Sequence, residues 1–277
     1  MGLKKVWFVT GASKGLGLSL VKQLLKSGQY VAATSRNVNE LAAAVNSNSE
    51  KFLPLAVNLS DELNVEQAIN ATISQFGKID VIINNAGYGI GGSIEELTDL
   101  ETRNSFDVNV FGTLNVIRKV MPHLRKQQSG HIINIASIAG ISGAIGWAVY
   151  SATKAAVIAL SEVLAEDVKA FGIKVTVISP GAFRTSFLTP ESLILAENPI
   201  AEYEDVRAVH QRYLKMDGQQ IGDPEKAAAA MISLVAMPNP PIHLLLGNDA
   251  FTRANTKIES LEKEFRDWKA ITISTDY

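Results

Sequence analysis

The sequence predicts an α/β fold, a doubly wound sheet of seven parallel strands with helices on both faces, in a single domain. Three observations predict it. Short apolar runs alternate with longer segments of helical period along most of the chain. The runs are apolar at successive positions, so both faces of each strand are expected to be buried. The first run also ends in a glycine-rich turn that opens directly into a helical segment. With 277 residues, 47% hydrophobic and 19% charged, the chain can fill one large core and is not a disordered sequence.

Each element follows in order. Val6–Val9 reads as the first strand and Thr10–Gly17 as the glycine-rich turn. Leu16–Lys26 has helical spacing and stops at Gly28, a suitable C′ residue. Tyr30–Thr34 is the second strand, with a short helix from Val38. Phe52–Val57 is the third, followed by a helix whose N-cap is Ser60 or Asp61. Asp80–Ile83 is the fourth and runs into Asn84-Asn85-Ala86-Gly87. A helix over Arg103–Arg125 leads to the fifth strand, Ile132–Ala136, and one over Ala148–Phe171 to the sixth, Lys174–Ile178, which stops at Pro180-Gly181. Residues 188–224 break the rhythm: the stretch is polar, holds Pro190, Pro199 and Pro224, and is expected to form a substrate-loop insertion with only short helical pieces. After it come a helix, Glu225–Ala236, and the seventh strand, Ile242–Leu246. Residues 251–277 form a C-terminal extension, an amphipathic helix Phe251–Trp268 with a polar tail.

Composition removes several function classes. Lysine and arginine number 26 against 28 acidic residues, so a net charge of −2 offers no basic surplus for nucleic acid. No apolar run approaches the ~20 residues of a membrane span, and no membrane partner is expected. Cysteine is absent, which excludes disulfides, thiolate nucleophiles and zinc–sulfur sites. Four scattered histidines, His123, His131, His210 and His243, lack ligand spacing, so no metal is expected. The start, Met1-Gly2-Leu3-Lys4-Lys5, has no signal-peptide pattern. A cytoplasmic enzyme or binding protein is the expectation.

Two sets of residues carry chemistry. Gly11, Gly15 and Gly17 sit between a strand and a helix, where backbone N–H groups and the helix dipole can hold a dinucleotide pyrophosphate. By itself the GxxxGxG spacing is a weak signal. The second strand ends Thr34-Ser35-Arg36-Asn37, with no carboxylate to bind ribose hydroxyls; Arg36 and Lys14 can instead hold a 2′-phosphate, which favours NADP(H). Tyr150 and Lys154 stand at i and i+4 on one helix face, thirteen residues after Ser137 at the end of the fifth strand. An ammonium beside the phenol is expected to lower its pKa from ~10 towards working pH, making tyrosine a usable acid/base, while the serine orients a carbonyl.

With these motifs in view, the sequence resembles the short-chain dehydrogenase/reductase family in its compact, single-domain Rossmann-type branch, from about Lys4 to Gly247. The resemblance rests on Thr10–Gly17, Asn84-Asn85-Ala86-Gly87, Asn109 in Asp107-Val108-Asn109-Val110, Ser137, Tyr150/Lys154 and Pro180-Gly181. It implies Tyr150 as general acid/base, Lys154 on the nicotinamide ribose, Ser137 on the carbonyl and Asn109 holding a proton-relay water. It further implies an NADP(H) site built from Gly11, Ser13, Lys14, Gly15, Leu16, Gly17, Ser35, Arg36, Asn58, Leu59, Asn85, Ala86, Gly87, Pro180, Gly181, Phe183 and Thr185 with Tyr150 and Lys154. Asn58 stands where the family often has aspartate. The extra C-terminal helix departs from the tetrameric relatives, so a homodimer through the helices Arg103–Arg125 and Ala148–Phe171 is expected, with Val110, Leu114, Val157, Leu160 and Leu164 as contacts.

The resulting expectation is an NADPH-dependent carbonyl reductase or alcohol dehydrogenase acting on a small-molecule ketone, aldehyde or alcohol; the alternative is a catalytically silent NADP(H)-sensing protein on the same fold. Trp147 is equally a pocket wall or plain packing. Tyr203, His210, Tyr213 and Met216 lie in the insertion and either line the pocket or pack on the surface of a helix, the second being favoured; His123 and His131 are expected to be solvated or structural.

Overall fold

The computed structural model describes residues 4–277; Met1–Leu3, part of the start read above as leaderless, lie outside the described residues. The chain builds one seven-stranded, all-parallel sheet. Its strands are β1 (Val6–Val9), β2 (Tyr30–Ser35), β3 (Phe52–Ala56), β4 (Val81–Asn84), β6 (Gly130–Ile135), β7 (Ile173–Pro180) and β9 (His243–Leu246). They lie in the order β3-β2-β1-β4-β6-β7-β9. The order reverses between β1 and β4, and that switch point opens a crevice at the strands' C-terminal ends.

Alternation along the strands divides the core. Trp7 and Val9 of β1 face Leu20, Leu24 and Met231 from α1 (Gly15–Lys26) and α8 (Pro224–Val235), joined by Leu41 of α2 (Val38–Val45). Phe8 points the other way, into Ile69 and Val120 from α3 (Glu62–Phe76) and α5 (Gly112–Gln127) and the end of α6 (Ala148–Val168) at Val168. Asp61 caps α3, its carboxylate accepting from Leu63 N and Asn64 N, which decides between the two N-cap candidates.

Several expectations need correction. The segment read as one helix over Arg103–Arg125 is α4 (Asp99–Phe106), a π-helical turn over Asp107–Phe111, and α5. The insertion holds more than short helical pieces: α7 (Glu204–Lys215) has three turns, and β8 (Leu193–Leu195) pairs in parallel with β5 (Gly89–Gly91) as a second small sheet. Of the two readings of His131, solvated or structural, the second is the one that holds. His131 is buried inside β6, where a ring nitrogen bonds Thr176 Oγ1 at 3.0 Å. By length and composition Ala148–Phe171 is apolar enough to cross a membrane, which the sequence reading did not register. Here it packs on β7, burying Val149, Tyr150, Thr153, Lys154, Val157 and Ser161. The extension begins earlier than expected, as α9 (Asn248–Asp267) followed by α10 (Lys269–Ile273). Ala250 and Ala254 pack on Ile138, whereas every residue from Glu262 onward is exposed.

Candidate active site

The glycine turn and the Asn84–Gly87 motif form one unit. Thr10 Oγ1, at the end of β1, accepts from the backbone N–H groups of Asn85 and Ala86, each at 3.0 Å. The Asn85 amide donates back to the carbonyls of Thr10 and Gly11 at 3.0 and 2.9 Å. This contact is close enough to require glycine. At Gly11, where φ is +64°, a Cβ would lie 2.7 Å from Ala86 Cα; at Gly17 it would lie 2.6 Å from the Asn85 amide nitrogen. The motif therefore holds the turn in shape. Behind the turn, α1 starts with no side-chain cap and no acidic residue in its first turn, which suits an anion.

The chemical end is set by β6, α6 and the π-turn. Ser137 follows β6, its hydroxyl accepting from Ala139 N at 3.1 Å. On α6, Tyr150 is 7% exposed and Lys154 5% exposed. Lys154 Nζ donates to the Ile135 carbonyl at 3.0 Å and lies 5.8 Å from the Tyr150 ring centroid. The π-turn pushes Asn109 inward, where its amide brackets Tyr88: the oxygen accepts from Tyr88 N, the nitrogen donates to Tyr88 O, both at 3.0 Å. Thr153 Oγ1, which itself donates to Tyr150 O, accepts from the same amide at 3.2 Å. Gly87 fits between Asn109 and Lys154; a Cβ there would approach them to 2.9 and 3.3 Å.

Electrostatics in this cluster differ from the expectation that Lys154 lowers the tyrosine. Burial pushes the Tyr150 phenol up to about 12, with Ser137 pulling it the other way. Burial also brings Lys154 down to about 8. Burial is the leading cause at both groups, and it moves the phenol away from neutral pH rather than towards it.

Most of these residues face one cavity of about 1120 Å³. Every expected cofactor residue except Gly17 lines it, and so do Ser137, Tyr150 and Lys154; Asn109 stands behind Tyr88. At the far strand end, Lys14 Nζ donates to the Glu191 carbonyl at 3.3 Å, and Arg36 lines the same end. The expectation of surface packing fails for Tyr213 and Met216, which line the cavity. Trp147 is both wall and packing: it is buried, lines the cavity, and sets its ring edge-on to Tyr150, His210 and Tyr213 at 5.9, 5.6 and 5.1 Å. Tyr203 lies outside the cavity and donates to Glu95 at 2.8 Å.

The model of the short chain dehydrogenase family matches residues 5–193. The chain belongs to that family. An oxidoreductase of Botryotinia fuckeliana, BOA17, is 34% identical over 274 residues, covering 99% of this chain and all of that protein. The crystal structure of a short-chain dehydrogenase from Streptomyces avermitilis matches with a TM-score of 0.91 at 34% identity, over 99% of this chain and 100% of the other. Similar structures hold either nucleotide: ElxO with NADP bound (TM-score 0.74, 26% identity, 90% of this chain and 100% of that one) and a 3-ketoacyl-(acyl-carrier-protein) reductase from Brucella melitensis complexed with NADH (0.73, 26%, 87% and 96%).

This short-chain dehydrogenase also places residues at the site that sequence reasoning missed. Asp249, in the first turn of α9, accepts from Ala182 N at 2.8 Å and occupies the space a Cβ on Gly181 would need, 2.1 Å from its carboxylate oxygen. One turn on, the Arg253 guanidinium donates to the Ser142 carbonyl. The root of the C-terminal helix thus ties the loop after β7 to the loop after β6. A second clamp holds the insertion of residues 188–224, the lid, which lines one side of the cavity. Buried Glu96 accepts from Ser93 N and Ile200 N, each at 2.8 Å, and pairs with Arg207 at 3.2 Å, while a His210 ring nitrogen meets the Gly146 carbonyl at 3.0 Å. No motif marks these contacts.

Proposed function

We propose that this chain is an NADPH-dependent carbonyl reductase, working also as an alcohol dehydrogenase in reverse. The observation that carries the reading is the convergence of Ser137, Tyr150 and Lys154 on one cavity whose other end presents Arg36, Lys14 and the uncapped start of α1. The residues present fit a dinucleotide. Lys14, Ser35 and Arg36 would hold the adenosine 2′-phosphate, with Ser13, Gly15 and Leu16 at the pyrophosphate. Asn58 and Leu59 would lie beside adenine, and Pro180, Phe183 and Thr185 beside the carboxamide. When bound, the nicotinamide supplies the hydride or accepts it.

The protein's own part is the proton. Tyr150, kept protonated by burial, donates O–H to the carbonyl oxygen as it gains charge. Ser137 holds that oxygen in line. Lys154, fixed by the Ile135 carbonyl, stabilises the phenolate that remains, and Asn109 keeps the Gly87-Tyr88 wall against the ammonium and stands ready for a relay water. Assembly as a homodimer is proposed through α5 and α6. Val110 and Val157 are excluded as contacts because the subunit buries them itself; Phe111 and Val163, 52% and 62% exposed, take their place.

The test is NADPH and NADH oxidation, followed optically, with a panel of ketones, aldehydes and β-keto esters. NADPH-linked turnover of at least one class is expected. Tight NADPH binding with no turnover across the panel would overturn the reading in favour of a nucleotide sensor.

A further inference from the structure

The lid half of the cavity has a chemistry of its own. Trp147, Phe187 and Ile194 are among its apolar lining residues. One stripe of α7 closes the side: Val209, Arg212, Tyr213 and Met216, at i, i+3, i+4 and i+7, all line the cavity. This wall is apolar but for one charge. The neighbouring Arg207 is used up on Glu96 and the Ala201 carbonyl, whereas Arg212 has no acidic partner among the described residues and reaches both cavity and solvent. Glu96, through Ile200 and Arg207, and His210, through Gly146, tie α7 and the segment before it to the body of the fold. A guanidinium on the rim, one turn of helix from the apolar lining residues Val209 and Met216, can pair with a carboxylate or phosphate group.

Resting on the carbonyl-reductase reading, we propose that the substrate carries a hydrocarbon body several carbons long beside the reacting carbonyl, and an anionic group beyond it that pairs with Arg212. The carbonyl sits at Tyr150, the hydrocarbon between Trp147 and Met216, and the anion at the rim.

A homologous series of methyl-ketone carboxylic acids, with the methyl ester of each, tests this at saturating NADPH. Binding of the matching hydroxy acids is measured by calorimetry in parallel. With wild type, kcat/KM should rise ~4-fold per methylene until the chamber is full. Each long acid should exceed its ester by at least ~10-fold, the usual worth of a charge-assisted hydrogen bond. Arg212→Gln should erase the acid–ester difference and keep the chain-length slope; Met216→Ser should flatten the slope. Short ketones reduced with a flat series, or acid and ester equal in wild type, overturn the inference and leave the carbonyl-reductase reading intact. Hydroxy acids that bind more tightly with length, with no ketone in the series reduced, overturn that reading and keep the inference.

Discussion

The two ends of the cavity are held together in different ways. At the nucleotide end the wall is backbone: Gly11 and Gly17 are pressed against Asn85 and Ala86 by four hydrogen bonds between β1 and the end of β4. At the lid end the wall is side chains, and it is held by contacts between residues far apart in sequence. Glu96 meets the backbone of Ile200 across 104 positions, and His210 meets Gly146 across 64. Backbone packing this tight permits few residue types, so it leaves a motif. A clamp of carboxylate, guanidinium and imidazole can be built at many positions, and leaves none. The first end is therefore suited to one ligand class, and the second can be rebuilt for a new substrate without disturbing the first.

That comparison can be broken or sharpened by four measurements. The largest effect is expected at the point where the ends meet. Tyr150→Phe keeps the ring packed against Trp147 and Phe187 but removes the proton donor, so kcat should fall at least ~10²-fold with folding unchanged. Retained activity would exclude Tyr150 as the acid. Next comes the nucleotide end alone. Two charge-assisted contacts from Arg36 and Lys14 predict about a hundredfold preference for NADPH over NADH in kcat/KM, weaker at high salt. Ser35→Asp with Arg36→Ile should reverse it; equal values for wild type would show that the end of β2 does not select. A third variant addresses the lid alone. Glu96→Ala strands Arg207 and two backbone N–H groups, and should raise the KM of the carbonyl substrate about tenfold while the dissociation constant for NADPH stays within twofold. Equal losses at both ligands would mean that the ends are not independent.

The smallest effect on activity is expected outside both ends, where the change is one of stability. Burial in β6, with Lys174 and Lys5 adding to it, brings His131 down to about 4. The unfolded histidine takes up a proton near pH 6.5 that the folded one refuses, so stability should fall as pH drops from about 6.5 to about 4. The full effect is roughly 3 kcal/mol, and His131→Gln should remove the histidine share of it in acid melts. A wild-type melting temperature independent of pH across that window would show that His131 protonates while buried.

What could be read in the sequence follows the same division. Tyr150 and Lys154 were legible because a helix turns i and i+4 to one side, and Ser137 because strand ends meet at the switch point. Asp249 was not. Its value lies in meeting Ala182 across 67 positions, and a lone carboxylate in Gly247-Asn248-Asp249-Ala250 carries no periodic signal. The π-turn at Asp107–Phe111 was not legible either, because the mixed polar and apolar run from Asp99 to Phe111 offers no clean stripe against which an extra residue would show as a change of phase. The stripe on α7 was diluted by the charges on its outer face. The upward shift of Tyr150 depends on depth of burial, which spacing does not report, whereas the neighbouring lysine that favoured the opposite expectation is visible in the letters themselves.

Asp249 and Arg253 have a consequence for the order in which the molecule is made. Synthesis is vectorial, and the glycine turn, Ser137, Tyr150 and Lys154 all emerge before β9 and α9 exist. Until the chain has delivered residues 249–253, the loops after β6 and β7 lack the brace that joins them. A prematurely terminated product can carry every recognisable motif of a dehydrogenase and still lack the geometry of one. The brace between these two loops is thus the last part of the site to be delivered, complete only in a chain translated past Arg253.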